Sequence, residues 1–133
     1  MSIKVLLADD HMIVRDGLRS LLGRDGDLEV IGEAQNGQAA VELTHKLTPD
    51  VVVMDIGMPL MNGIEATEKI LATTPNAKII GLSMHNDRRF VLSMLKAGAA
   101  AYLLKDSAFD ELVNAIHAVI SGQVYIGPGV SSN

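Results

Sequence analysis

Short apolar runs alternate along the chain with longer segments of helical period. The runs are IKVLLA (3–8), LEVIGEA (28–34), VVVM (51–54), AKIIGL (77–82) and AAYLL (100–104). Between them, Val14, Leu18, Leu21 and Leu22 recur at the spacing of one helix face, as do Phe90, Val91, Met94 and Leu95. The last helix has the clearest stripe: Phe109, Leu112, Val113, Ile116 and Val119 or Ile120. Weaker helices fit 37–47 and 63–73. The second ends before Thr74-Pro75, and Pro49 separates the first from the strand at 51, because the residue before a proline is pushed out of helical geometry. The pattern is five βα units. Runs 1, 3 and 4 are apolar without alternation, as parallel strands buried on both faces are. This predicts an α/β, doubly wound five-stranded parallel sheet with helices on both faces. LEVIGEA carries two glutamates and reads as an edge strand. The tail SGQVYIGPGVSSN (121–133) drifts from a short apolar patch into Gly, Pro and Ser. It reads as the start of a linker, so the folded unit is expected over 1–121 and the linker over 122–133.

Composition narrows the class. A chain of 133 residues with 48% apolar and 3% aromatic content builds one core from Val, Leu, Ile, Ala and Met. The absence of cysteine excludes thiol chemistry and fits a reducing compartment. A formal charge of −5 without a basic stripe argues against contact of this piece with DNA phosphates. No run approaches a membrane span, and Ile3–Ala8 is too short for a signal-peptide core. A cytoplasmic domain with no membrane contact is the expectation.

The chemistry lies in how the strands end. Run 1 ends in Asp9-Asp10, run 3 in Asp55, run 4 in Ser83 and run 5 in Lys105. Parallel strands place all their C-termini on one edge, where open α/β sheets bind ligands. Three carboxylates on one rim call for a hard cation with oxygen ligands: Mg²⁺, or alternatively Mn²⁺ or Ca²⁺. Carboxylate-held metals at such a rim serve phosphate. Lys105 offers a compact positive charge to phosphoryl oxygens and Ser83 a hydroxyl donor. With no His or Cys placed as a nucleophile, an aspartate forming an acyl phosphate remains, and Asp55, centred in the strand order 2-1-3-4-5, is the choice. Each residue alone has an ordinary explanation. Asp9-Asp10 can cap a helix, Ser83 with Asn86-Asp87 can cap the fourth, and a lone lysine is usually solvated. Their convergence on one rim favours the functional reading. The histidines have no ligand spacing and read as structural or solvated, and the methionines as core filler.

These residues carry a resemblance. ADDH (8–11), MDIGMPLMNGIEA (54–66), GLSMHND (81–87) and KAGAAAYLLKD (96–106) resemble the receiver domain of bacterial two-component response regulators, most closely the NarL/FixJ (LuxR-type) family. The resemblance spans nearly the whole chain and implies the (βα)5 flavodoxin-like fold. It implies Asp55 as phosphoacceptor, Asp10 as a direct Mg²⁺ ligand, Asp9 as one acting partly through water, and the Gly57 backbone carbonyl as the third protein ligand. Lys105 would pair with the phosphoryl group, Ser83 would be the hydroxyl switch and Tyr102 the aromatic that follows it. A cognate sensor histidine kinase would donate the phosphoryl group. The chain would control its own C-terminal helix-turn-helix DNA-binding domain. Phosphorylation would shift the surface of helix 4, strand 5 and helix 5 between homodimer formation and contact with that domain. Apart from its own phosphorylation and dephosphorylation, the chain would not be an enzyme. Two positions depart from the commonest pattern: Gly57 lacks a side chain, and Met84 follows Ser83 where a small residue is frequent.

Two other classes fit less well. Phosphatases resembling the haloacid-dehalogenase group need a second Asp two residues after the nucleophile, where this chain has Gly57. A flavodoxin-like nucleotide-binding module needs a phosphate loop after strand 1, where this chain has Asp-Asp-His.

Overall fold

The computed structural model describes residues 2–84 and 88–130. The first half of the chain runs β1 (Ile3–Ala8), α1 (Met12–Leu22), β2 (Leu28–Ala34), α2 (Gly37–Leu47) and β3 (Val51–Asp55). There follow α3 (Gly63–Thr73), β4 (Lys78–Ser83), α4 (Arg88–Ala97) and β5 (Ala101–Leu104). A single 3₁₀ turn (Lys105–Ser107) then leads into α5 (Ala108–Ile120) and a two-residue strand, β6 (Tyr125–Ile126). All strand pairs are parallel, in the order β2-β1-β3-β4-β5-β6. The Asn86 and Asp87 cap expected for α4 lies outside the described residues. Among the described residues, no helix is long and apolar enough to cross a membrane.

The two-residue period of a strand explains why the central runs are apolar throughout. Val5, Leu7, Val51, Val53, Ile80, Leu82 and Leu103 face one layer, with Leu18 and Leu22 of α1 and Leu112, Ile116 and Val119 of α5. Leu6, Ala8, Val52, Met54, Ile79 and Tyr102 face the other, with Ala40 of α2, Ala66 and Ile70 of α3, and Val91 and Met94 of α4. Each such Leu, Ile or Val side chain contributes roughly 1.5–3 kcal/mol by leaving water. Both faces are therefore spent on the core, and function is left to the rim.

Local chemistry sets the helix starts. Asn36 Oδ1 accepts from Ala39 N–H at 2.8 Å, and Asn62 Oδ1 accepts from Glu65 N–H at 3.0 Å. Such caps are worth ~1 kcal/mol each. Thr48, in the left-handed region at φ 47, ends α2 just before Pro49. The expected helices at 37–47 and 63–73 coincide with α2 and α3.

The tail departs from a plain linker. Tyr125 N–H donates to Ala100 C=O at 3.0 Å and Gly127 N–H to Tyr102 C=O at 3.0 Å, so β6 lines the open edge of β5. The Tyr125 hydroxyl donates to the Glu111 carboxylate on α5. A two-residue strand among Gly and Pro is too short for alternation to reveal.

One glycine ties the fold to the rim. A Cβ on Gly63 would lie 2.5 Å from the Asp55 carbonyl oxygen and 2.8 Å from Ile56 Cα. Both neighbours are backbone and cannot swing away. Gly63→Ala is expected to lower unfolding free energy toward the upper end of the ~1–3 kcal/mol range for overpacking. Urea unfolding checks it: the midpoint should fall at an unchanged slope.

Candidate functional site

The strand ends meet at the C-terminal edge of the sheet. Because β1 and β3 are hydrogen-bonded neighbours, the carboxylates that follow them sit side by side. Asp9 is 2% and Asp55 3% exposed, while Asp10 is turned to solvent. From β5, Lys105 swings across to both: its Nζ lies 3.1 Å from Asp55 Oδ2 and 3.2 Å from Asp9 Oδ2. The Gly57 N–H donates to Asp55 Oδ1 at 3.2 Å, and the His11 N–H donates to Asp9 Oδ1 at 2.8 Å. Ser83, buried at the end of β4, joins His11, Asp55, Gly57, Met84 and Lys105 around a cleft of about 190 Å³. Gly57 is not required sterically, because an added Cβ would meet only Asp55 Oδ1, at 4.0 Å. The missing side chain leaves the mouth of the cleft open.

Residues 5–117, from within β1 through most of α5, match the model of the response regulator receiver domain. The chain belongs to that family. The receiver is 40% identical over 131 residues to the transcriptional regulatory protein DegU of Brevibacillus brevis, covering 98% of this chain and 56% of that protein. A two-component response regulator of the LuxR family from Aurantimonas sp. SI85-9A1 superposes with a TM-score of 0.93 at 38% identity, covering 98% of this chain and 93% of that one. The isolated receiver of RcsB from Salmonella enterica serovar Typhimurium, solved with the phosphomimetic BeF3−, superposes with a TM-score of 0.89 at 28% identity. That match covers 98% of this chain and 96% of that one. The receiver spans less than two thirds of the length of the curated relatives it matches.

The receiver's rim brings together Asp9, Asp10, Asp55, Ser83 and Lys105, as the strand ends predict. Tyr102 is elsewhere: fully buried in the layer beneath α4, packed near Gly81, it does not line the cleft. Two residues with no part in the sequence reading of the rim are present. His11 Nδ1 lies 3.0 Å from Asp9 Oδ1, 3.2 Å from Asp10 Oδ1 and 3.4 Å from Lys105 Nζ. One nitrogen cannot give a proton to Asp9 while taking one from Lys105, so the last contact is not a directed bond when Nδ1 is protonated. Arg15 is buried below the rim. Adjacency to Asp9-Asp10 was the only signal for His11. For Arg15 it was a cation in register with Leu18 and Leu22 on the buried face of α1.

The rim suits a divalent cation. Asp9, Asp10 and Asp55 each offer a carboxylate oxygen, and His11 a ring nitrogen, all within 4.8 Å of one another. Among the described residues, one ammonium stands against these three carboxylates. Asp9 Oδ2 is buried at ion-pair distance from Lys105 yet accepts no directed hydrogen bond among the described residues, which leaves a lone pair for a cation.

Burial and the neighbouring Asp9 carboxylate push the Asp55 carboxyl up from its ordinary 3.8, and the Gly57 N–H and the Lys105 ammonium only partly offset them. Burial pulls the Lys105 ammonium down, but the Asp55 and Asp9 carboxylates outweigh it and hold the group above its ordinary value. The signs have opposite consequences for stability. A carboxyl raised on folding favours the native state at low pH. That contribution declines as pH climbs above 3.8 and is gone beyond the folded value. The ionised Asp55 therefore destabilises the neutral-pH protein. Asp55→Asn is expected to melt about 2–5 °C higher than wild type at neutral pH without added metal. The gap should narrow on acidification toward pH 3.8, as followed by circular dichroism.

Proposed function

We propose that this receiver accepts a phosphoryl group on Asp55, supplied by a sensor histidine kinase or a small phosphodonor, with Mg²⁺ held at the rim. The observation that carries this is the single ammonium of Lys105 bridging two buried strand-end carboxylates in a cleft lined by Ser83. An Asp55 carboxylate oxygen attacks phosphorus, forming the acyl P–O bond as the P–N bond to the donor imidazole breaks. The electron pair goes to that nitrogen, which takes up a proton. Asp10, Asp9, Asp55 and the Gly57 carbonyl would hold Mg²⁺, whose charge offsets that of the phosphoryl oxygens. Lys105 then pairs with one of those oxygens. Water later attacks phosphorus, the acyl P–O bond breaks, inorganic phosphate leaves and Asp55 returns as a carboxylate. These are the only reactions in the reading; the product is a switched state, not a released metabolite.

The switch follows from charge. Phosphorylation adds about −1.5 to −2 charge and new acceptors beside Ser83. The Ser83 hydroxyl donates to a phosphoryl oxygen and draws the start of the β4–α4 loop inward. Tyr102, on the neighbouring strand and packed close to Gly81, senses the space beneath α4. Such a change acts only through a difference in free energy between two arrangements of the α4–β5–α5 surface.

The partners follow in the same way. Met12, Ile13, Leu60, Met84 and Phe109 are exposed on the loops and helix starts around the rim. They offer apolar footing to a kinase domain in the cytoplasm. Beyond the receiver (1–121) and the segment from 122 onward, a helix-turn-helix DNA-binding domain completes the protein. Support comes from the longer curated relatives, named as transcriptional regulators.

Incubation with a small phosphodonor and Mg²⁺ is expected to add one phosphoryl group by intact mass. Asp55→Asn should abolish the gain, Asp10→Asn should raise the Mg²⁺ requirement, and Ser83→Ala should retain most of it. A wild-type gain by Asp55→Asn would refute the assignment. In anisotropy titrations at fixed salt, residues 1–133 should bind no operator sequence-specifically, phosphorylated or not.

A further inference from the structure

We infer that Arg15 is a positioning residue that sets the geometry of the Asp9–Asp10 pair, and through it the affinity of the rim for a divalent cation. The inference rests on the reading of those two residues given above. Arg15 is 6% exposed and shares the core-facing side of α1 with Leu18 and Leu22. A guanidinium in that position bears a heavy desolvation cost unless its donors are satisfied. Two of its five donors meet groups on different elements. Nε donates to Glu33 Oε1 on β2 at 3.0 Å, and Nη1 donates to the backbone carbonyl of Asp9 at 2.7 Å. Arg19 holds the other carboxylate oxygen of Glu33.

The second contact bears on the rim. The Asp9 carbonyl belongs to the peptide joining Asp9 to Asp10, and that unit is planar. Its oxygen is held by Arg15, while the N–H of Asp9 donates to Ala34 C=O at 3.0 Å. The backbone of Asp9 is thus gripped on both sides, from α1 and from β2. Asp10 follows that peptide directly, so the plane that Arg15 fixes sets where its side chain starts, and His11 Nδ1 lies 3.2 Å from its Oδ1. The planar fork holds both partners in fixed directions, whereas the rotatable donors of an ammonium on a flexible stem set no such geometry. Glu33 offsets the buried charge of the guanidinium, and the Nη1 contact to the Asp9 carbonyl aims the acidic pair.

The test uses the whole chain and Mg²⁺ alone, with the Mg²⁺ midpoint read from the thermal shift. The Mg²⁺ dependence of phosphorylation by a small phosphodonor is measured in parallel. Arg15→Gln is expected to need on the order of 10-fold more Mg²⁺ at both midpoints, as groups that orient metal ligands do. Its limiting phosphorylation rate at saturating Mg²⁺ should stay near wild type. Glu33→Gln, which leaves the Arg15–Asp9 contact available, should lower the melting temperature but keep the wild-type Mg²⁺ midpoint. Should Arg15→Gln fail to fold, Arg15→Lys, which keeps the charge without the fork, is expected to show the displaced midpoint. A folded Arg15 variant with a wild-type midpoint overturns the inference. So does a Glu33→Gln midpoint displaced as far as that of Arg15→Gln, since general loosening of α1 would then suffice. A wild-type chain that does not respond to Mg²⁺ overturns the reading of the site, and the inference with it.

Discussion

The Lys105 ammonium, within 3.2 Å of carboxylates from two different strands, is the contact on which the rim depends. Adjacent strands lie about 4.8 Å apart, so a parallel sheet that ends β1 and β3 on aspartates forces those charges together. Two like charges at roughly 4 Å repel by the order of 4 kcal/mol at an effective dielectric near 20. One cation shared between them relieves part of that. It does not relieve all of it, and burial first, with the remaining repulsion from Asp9 added, keeps the Asp55 carboxyl raised. The residual excess of negative charge is what makes the site receptive to a metal. Its cost in native stability is the physical trace of a site shaped for binding.

The arrangement is possible because the sheet asks nothing else of its edge. Side chains of β1, β3 and β4 go alternately to the α1/α5 layer and the α2/α3/α4 layer, and both are filled with apolar groups. The loops at the C-terminal edge then carry polar groups without disturbing either layer. Strain collects there too. Leu60, 81% exposed at φ 67, lies in a tight turn where Met61 N–H donates to Pro59 C=O at 2.7 Å. Left-handed geometry is costly for a branched apolar residue. The turn brings the chain back so that Gly63 can pack on the Asp55 carbonyl.

Most of this was legible from residue order. Uninterrupted Val, Leu and Ile runs mark strands buried on both sides, and the prolines that follow α2 and α3 bounded those helices. Asp9, Asp10, Asp55, Ser83 and Lys105 were found because strand ends converge whatever the details of packing. His11 and Arg15 were not, for a shared reason. Each acts through a partner on another element or through its own backbone neighbours, and one-dimensional periodicity carries no such information. Arg15 stands in register with Leu18 and Leu22, but its partner is not visible until the pairing of β1 with β2 brings Glu33 beside it. Tyr102 shows the converse: its place on β5 is plain from sequence, but its burial away from the cleft is a property of the assembled layers.

The short β6 has a consequence for assembly. The Ala100 and Tyr102 carbonyls on the outer side of β5 already accept hydrogen bonds from Tyr125 and Gly127. A strand from another molecule therefore finds this flank of the sheet sealed, as protected edges in soluble β proteins are. Self-association at this side must proceed through helix faces and loops, unless the tail first peels away. The Tyr125–Ile126 strand thus serves as a gasket on the β5 edge, closing it to strand addition.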